Sequence, residues 1–335
     1  MRLVVLLALE GAALLDIAGP LEVFATAASV ADDNGGAKGL YKTCIASLRG
    51  GPLRTACGAE ILTRAVSDLA SEDIDTLLVA AKCGATTSAE AEQWIAKNAH
   101  RGRRIGAING GGFLLAATGL LDHRRATTHW SRSAELGAFP GVKVESDALY
   151  VEDGDVWTSA GVSAGLDMAL KMIERDFGTA LAVRTARQLA LRLTRSGEEP
   201  QVSAWLDAQA IPDDRLRELV QWILDNPQAD LDVSALAERA CMSARTLFRA
   251  FATHIGVTPR EFTERARLEA ARRFLECSSN RLDYVAQKAG FGTTESMRRA
   301  FRRTFNQTPG AYRHACRSSR NPSRFWSSPE ARVTT

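Results

Sequence analysis

The 335 residues carry a net charge of +3, with 45% hydrophobic and 24% charged side chains. That length suits two or three domains with sizeable apolar cores. The six cysteines (44, 57, 83, 241, 277 and 316) include no C-x-x-C pair, which argues against a zinc site or disulfide framework and fits a reducing cytoplasm.

The chain begins MRLVVLLALE. Its apolar run is short, and Glu10, Asp16 and Pro20 follow without a convincing cleavage site, so it reads as a strand and not a signal peptide. No stretch approaches the ~18–20 apolar residues of a membrane span, and no membrane partner is expected. Residues 1–190 alternate strands and helices. Strands are predicted at Leu3–Leu9, Leu40–Leu48, Asp75–Ala81, Arg104–Asn109 and Val156–Ser159. Helices are predicted at Leu14–Ala28, Ser88–Ala99 with a serine N-cap, Phe113–Thr118, Ser163–Phe177 and Ala180–Thr194. Buried apolar strands alternating with helices imply a mostly parallel sheet covered on both faces.

The stretch RRIGAINGGGFLLAATGL gives strand, glycine-containing turn, then helix, the layout of a nucleophile elbow. Its central residue is Asn109, whose amide donates and accepts hydrogen bonds but is neither nucleophile nor base. Gly110–Gly112 could cradle a phosphate or present backbone N–H groups to a carboxylate at the helix N-terminus. Residues 196–213 are polar, contain Gly197, Pro200 and Pro212, and read as a linker. Asp214–Leu224 then forms a helix stopped by Asn226-Pro227.

From residue 232 one helix-turn-helix pattern occurs twice. Ala237 and Ala240 recur as Ala286 and Ala289, and Phe251, Thr258 and Pro259 recur as Phe301, Thr308 and Pro309. The offset grows from 49 to 50 because the second turn holds one extra residue. Each copy pairs a short helix with a longer, arginine-bearing one, the geometry that places a helix in a major groove. Arg245 and Arg249 share one face of the first; Arg298, Arg299, Arg302 and Arg303 crowd the polar face of the second. Residues 241–320 hold sixteen Lys/Arg against six Asp/Glu, a net +10, which leaves −7 for the rest. Positive charge gathered at one end is the electrostatic footprint of a nucleic-acid module. The tail from residue 316 is Ser/Arg/Pro-rich, without period, and reads as disordered.

Residues 232–313 resemble the AraC-type DNA-binding domain, including a long linking helix over 260–276 and the closing T-P-G-A-Y-R. Two positions depart from that pattern: Met297 where the family usually has Phe, and Asn306 where it usually has Gly. Methionine is a tolerant core filler and asparagine accepts a left-handed backbone, so the fold survives both. Residues 1–190 resemble the PfpI-type, class I glutamine amidotransferase-like fold through DIAGPLEVF (16–24), the elbow, GLLDHRRATTHW (119–130) and TSAGVSAGLD (158–167). Joined in this order, the two parts resemble the GlxA family of transcriptional regulators.

The resemblance implies a flavodoxin-like parallel sheet with helices on both faces over 1–195. The linker 196–213 follows, then an all-α domain with two helix-turn-helix motifs over 214–315, and a tail over 316–335. It nominates Arg245, Thr246, Phe248 and Arg249 in the first copy, and Thr294, Glu295, Arg298 and Arg299 in the second, as base contacts. Arg302, Arg303 and the helix start at Thr293 are assigned to phosphates. A small-molecule site is expected near Glu22, Asn109, Gly110 and His129. Glu22 aligns with an acid that faces the elbow, or is a surface residue; His129 is a ligand-binding or structural residue, or a base. Asp16 is read as a helix cap in preference to a ligand contact. Enzymes of the superfamily carry Cys where this chain has Asn109, and Cys83 does not replace it by spacing.

The expected function is therefore a DNA-binding transcription factor, an activator controlled by a small ligand, with a nitrogen-containing metabolite as the candidate, or by dimerisation through a catalytically inactive domain. Its expected partners are double-stranded promoter DNA, the effector, RNA polymerase and a second copy of the chain; no metal or cofactor is expected. The alternatives are a PfpI-type hydrolase or hydratase with a DNA-binding appendage, discriminated by a reactive, low-pKa thiol in residues 1–190, and a chromosome-organising protein without sequence preference.

Overall fold

The structure, a computed structural model, describes residues 1–33, 39–82, 88–191, 195–198, 201–202, 211–305 and 307–318. Two compact units divide the chain between Gln201 and Val202.

The first unit holds strands β1 (Arg2–Ala8), β2 (Tyr41–Ser47), β3 (Gly51–Arg54), β4 (Glu60–Ala65), β5 (Ile74–Ala81), β6 (Arg104–Asn109), β7 (Arg125–Ala126), β8 (Lys143–Val144), β9 (Tyr150–Asp153) and β10 (Val156–Ser159). Its helices are α1 (Leu14–Asp33), α2 (Ala89–Asn98), α3 (Gly111–Ala117), α4 (Ser133–Leu136), α5 (Ser163–Phe177) and α6 (Thr179–Gln188). Eight strands form one sheet in the order β3-β4-β2-β1-β5-β6-β10-β9, while β7 and β8 pair separately. From β4 to β10 neighbouring strands run parallel; β3 and β9 add antiparallel edges. The expected parallel sheet with helices on both faces is therefore the fold.

Alternation along β1 shows why both faces are covered. Val4, Leu6 and Ala8 face a core closed by Ile17 and Phe24 of α1, Met168 and Met172 of α5, and Leu181 of α6. Leu3, Val5 and Leu7 face the opposite core, with Ile95 of α2 and Leu115 of α3. Ser88 caps α2, accepting from the Ala91 N–H at 3.3 Å. Leu14–Asp32 is long and apolar enough to cross a membrane, against the expectation that no such stretch exists; 61% of it is buried inside the protein, as in a core helix. At the N-terminal edge of the sheet, Asp176 accepts from Tyr41, Arg103 and Arg104. Those partners outweigh its burial and hold its carboxyl below the usual range.

The second unit is helical: α7 (Asp214–Asp225), α8 (Val233–Arg239), α9 (Ala244–His254), α10 (Pro259–Cys277), α11 (Leu282–Lys288), α12 (Thr294–Phe305) and α13 (Pro309–Ser318). Asp213 caps α7 by accepting from the Leu216 N–H at 3.1 Å. There are two small cores. One gathers Leu219 and Ile223 of α7, Leu236 of α8, and Leu247 and Phe251 of α9. The other gathers Val285 and Ala286 of α11 with Met297 and Phe301 of α12. Helix α10 serves both, giving Phe262 and Ala266 to the first and Leu268, Ala271 and Leu275 to the second. A capping box, Thr258 with Glu261, starts it.

Both motif turns are Schellman caps. The Met242 and Cys241 N–H groups donate to the Ala237 and Glu238 carbonyls; those of Phe291 and Gly290 donate to Ala286 and Gln287. The second turn then inserts Gly292 before Thr293, which is the extra residue that lengthens the repeat offset. Met297 is fully buried. Asn306, Cys83 and the tail beyond residue 318 lie outside the described residues.

Both ends of the expected linker make contacts within the units they adjoin. The Leu149 N–H donates to the Gly197 carbonyl (2.8 Å), and the Gln201 side chain enters the first unit. At the other end Ile211 is buried in the second unit's first core. Residues 199–200 and 203–210 of this stretch lie outside the described residues.

Candidate ligand pocket and nucleic-acid interface

Three strand ends build the first site. Asp16 lies in the first turn of α1, after β1; Asn109 is the last residue of β6; Val162 follows β10. Ligand sites of open α/β sheets lie beyond these carboxyl ends. Asn109 has φ 56°, a left-handed conformation that asparagine tolerates better than most residues. The elbow passes so close to β5 that a Cβ on Gly110 would sit 2.2 Å from the Lys82 carbonyl oxygen, and one on Gly111 2.1 Å from that of Val79. The Gly110 N–H donates to the Ala81 carbonyl (3.2 Å). Close approach to the neighbouring strand, not a phosphate cradle, accounts for the first two glycines of the run.

Asp16 is fully buried. Its Oδ2 accepts from Asn109 Nδ2 at 2.9 Å, and its Oδ1 accepts from the Val162 N–H. Burial pushes its carboxyl above the usual range, against the hydrogen bonds from Asn109 and Val162 and the charge of His129. The cap reading is thus overturned: the side chain reaches across to β6 and the β10–α5 turn. Glu22, the acid aligned with the elbow, is exposed on α1, and the acid hydrogen-bonded to Asn109 is Asp16. Nothing in the sequence separated the two except position: Asp16 falls in the first turn after β1, at the sheet's carboxyl edge.

Asn109 Oδ1 is buried without a hydrogen-bond partner. The Asn109 carbonyl accepts from Thr128 Oγ1 (3.1 Å). His129, next in sequence, is half-buried; its Nδ1 lies 2.8 Å from Ser131 Oγ and caps the following turn. Trp130 beside it is 57% exposed. Gln201, absent from the sequence reading, threads this corner: Nε2 donates to the carbonyls of Thr128 (2.9 Å) and Ala148 (3.0 Å), and Oε1 accepts from the Trp130 N–H (2.8 Å).

An apolar hollow of about 460 Å³ lies beside the start of α1, lined by Ala13, Leu14, Leu15, Ala18, Ala56 and Cys57. Cys57 is exposed, and a hydrogen bond with Thr55 lowers its thiol pKa. Among the described residues no histidine or carboxylate is hydrogen-bonded to that sulfur, which contacts Thr55 Oγ1. No group of three or more potential metal ligands occurs among the described residues.

In the second unit Ser243 caps α9, accepting from the Thr246 N–H (3.1 Å), and Thr293 Oγ1 accepts from the Ser296 N–H at the start of α12 (3.1 Å). Leu247 and Phe251, like Met297 and Phe301, turn inward. Arg245, Phe248 and Arg249 are exposed on α9, with Thr246 half-buried; Glu295, Arg298, Arg299, Arg302 and Arg303 are exposed on α12, with Thr293 exposed before it and Thr294 half-buried. Arg298 pairs with Glu295 at 2.8 Å, and Arg303 pairs with Glu264 of α10. Each copy therefore presents one polar helix face, with every nominated contact at least partly open to solvent.

The model of the DJ-1/PfpI family matches residues 1–175, more than half of the chain. The chain belongs to the DJ-1/PfpI family. A helix-turn-helix domain model matches residues 236–315. The HTH-type transcriptional regulator CdhR of Pseudomonas aeruginosa is 28% identical over 272 residues, 81% of each chain. The HTH-type transcriptional regulator GlxA of Rhizobium meliloti is 34% identical over 213 residues, 63% of this chain and 65% of that one. Among solved structures, an AraC family transcriptional regulator from Pseudomonas putida aligns with TM-score 0.51 and 21% identity, covering 56% of this chain and all of its own. A ThiJ/PfpI family protein from Pseudomonas syringae aligns with TM-score 0.52 and 22% identity, covering 71% and 88%. These last two likenesses concern the fold. With its AraC-type helix-turn-helix unit joined to a DJ-1/PfpI unit, the protein is a DNA-binding transcriptional regulator.

Proposed function

We propose that the DJ-1/PfpI unit is a sensor that performs no covalent chemistry, and that the second unit reads promoter DNA through α9 and α12. The observation that carries the sensor reading is Asn109 at the elbow, its amide hydrogen-bonded to a buried carboxylate. A position built to expose a nucleophile here holds a group that can only exchange hydrogen bonds.

Two features favour a nitrogen-containing ligand. Asn109 Oδ1 is a buried acceptor without a donor, and Asp16 has no ion-pair partner among the described residues. A ligand N–H would satisfy the first and soften the desolvation of the second. Asp16, Asn109, Gly110 and His129 are the residues assigned to that site; Glu22, exposed, is assigned to its rim at most. Arg245, Thr246, Phe248, Arg249, Thr294, Glu295, Arg298 and Arg299 are assigned to base edges, and Thr293, Arg302 and Arg303 to phosphates. Ligand binding changes DNA occupancy by favouring one arrangement of a homodimer. The regulator works in the cytoplasm, with RNA polymerase as its partner if it activates.

The test is a thermal-shift screen of amines, amino acids and quaternary ammonium compounds against the full chain, followed by DNA-binding titrations with each compound that shifts the melt. A compound that stabilises the protein, loses its effect in Asn109→Ala and changes operator affinity supports the reading. Turnover of an amide or isonitrile by the purified chain, or unchanged operator affinity with every binder, overturns it.

A further inference from the structure

The two DNA-facing helices are superposable in sequence at an offset of 50, yet they present different chemistry. Buried positions match: Leu247 with Met297, and Phe251 with Phe301. Exposed positions do not. Arg245 corresponds to Glu295, Phe248 to Arg298, Ala252 to Arg302 and Thr253 to Arg303; only Arg249 and Arg299 agree. Phe248 is 43% exposed, and among the described residues it is the one large apolar side chain exposed on either helix. It is not a core residue out of place, because Leu247 and Phe251 already fill the inward face of α9.

The surroundings of Phe248 say what covers it. Arg245 is three residues before it and Arg249 one after, both exposed, so the ring lies within a cationic strip matched to a polyanion. Within a major groove, the apolar group available to such a ring is the 5-methyl of thymine. We propose that Phe248 is a specificity-determining residue that selects a thymine in the half-site read by α9. Its counterpart Arg298, paired with Glu295, gives the other half-site no such preference. The unequal arginine load divides the work further: α12 has Arg302 and Arg303 where α9 has Ala252 and Thr253, so α12 supplies more of the sequence-tolerant grip. This inference rests on the DNA-reading role assigned above.

The experiment uses the full chain and chemically modified DNA. Bound sequences are first selected from a random duplex library, and the α9 half-site is identified as the one whose base preference relaxes in Arg249→Ala. Each thymine of the selected duplex is then replaced by uracil, which removes only the methyl group. With the wild-type chain, one replacement in the α9 half-site is expected to weaken binding about three- to five-fold, the effect of one buried methyl-sized group. Replacements in the α12 half-site are expected to be silent. Phe248→Ala should bind thymine and uracil duplexes equally, and Phe248→Leu should retain part of the difference. Because Phe248 is exposed, both variants should melt with the wild type. Uracil replacement that is silent throughout the α9 half-site, or that weakens Phe248→Ala as much as the wild type, overturns the proposal. Failure of the wild-type chain to enrich any sequence would instead sink the DNA-reading role beneath it.

Discussion

Asp16 and Asn109, 93 residues apart, share a 2.9 Å hydrogen bond that ties the first turn of α1 to the end of β6. The other carboxylate oxygen of Asp16 accepts from the Val162 N–H. Both donors sit on residues with positive φ, 56° at Asn109 and 47° at Val162, the latter unusual for a β-branched side chain. One buried acid thus satisfies two strained turns. Asp16→Ala leaves both donors without an acceptor and should cost about 1–3 kcal/mol. Asp16→Asn should be near neutral or stabilising. Its carbonyl can take the Val162 N–H, and its amide can donate to the orphaned Asn109 Oδ1 once that amide turns over. Denaturant titration of both variants decides it; equal losses would show that the hydrogen-bond geometry of Asp16 matters less than its size.

The same pair predicts a pH dependence. Burial raises the folded-state pKa of Asp16 above its unfolded value. A carboxyl shifted this way costs stability while ionised, at pH above the raised value. The cost disappears as pH falls through that value toward the unfolded pKa of about 3.9. The stability advantage of Asp16→Asn over the wild type should therefore be largest near neutral pH and shrink on acidification. Asp167, also raised by burial, is common to both proteins and cancels in the difference. An advantage that stays constant with pH would contradict the raised pKa.

Arg303 and Arg249 should fail differently. Arg249 is exposed on α9 and has no ion pair among the described residues, whereas Arg303 is paired with Glu264 of α10. Arg249→Ala should relax preference at one base pair, costing about 1–3 kcal/mol. Arg303→Ala should weaken all sequences alike and lower the salt slope by roughly one. Glu264→Gln removes the competitor for Arg303 and should raise affinity for every duplex. Binding titrations across a salt series check all three. An unchanged selected motif in Arg249→Ala would remove that residue from base readout.

The two Schellman turns differ in one residue that packing explains. Gly290 has φ 81°, and a Cβ there would lie 1.8 Å from the Pro227 carbonyl oxygen. Gly290→Ala should destabilise the second unit severely, because the blocking atom is backbone. Cys241 holds the equivalent place in the first turn at φ 52°. Cys241→Gly should relieve left-handed strain and stabilise by roughly 1 kcal/mol, less the entropy a glycine adds to the unfolded chain. Opposite shifts in calorimetric melts are expected; a stabilised Gly290→Ala would refute the packing argument.

Much of the architecture was legible because it is periodic. The apolar runs of β1, β5 and β6 are buried on both faces, and the repeat from residue 232 announces two copies of one motif. Edge elements were not legible: β3 buries only Leu53, and β4 is nowhere fully buried, so neither carries an apolar signature. The elbow and Asn109 were found from the glycine pattern. Asp16 reads as a cap in the sequence because a first-turn acid has the same signature whether it serves its own helix or a neighbouring strand. Glu22, only six residues on, falls on the exposed side of α1.

Gln201 illustrates the contacts that composition hides, and it carries the last prediction. Polar flanks suggested a linker, yet its side-chain amide donates to the Thr128 and Ala148 carbonyls and accepts from the Trp130 N–H. Thr128 in turn bonds the carbonyl of Asn109. The end of the first unit is thereby wired to the elbow through one intervening residue. Gln201→Ala strips the Trp130 N–H of its acceptor and takes one donor from each of two carbonyls, which keep Thr127 Oγ1, so the segment around His129 and Trp130 should open more often. Hydrogen exchange in peptides spanning 127–133 should quicken by about ten-fold, the rate equivalent of one lost hydrogen bond. Exchange in β1 and β5 should hold at its wild-type rate. Acceleration spread evenly over the sheet would mean that Gln201 supports global stability and not this corner.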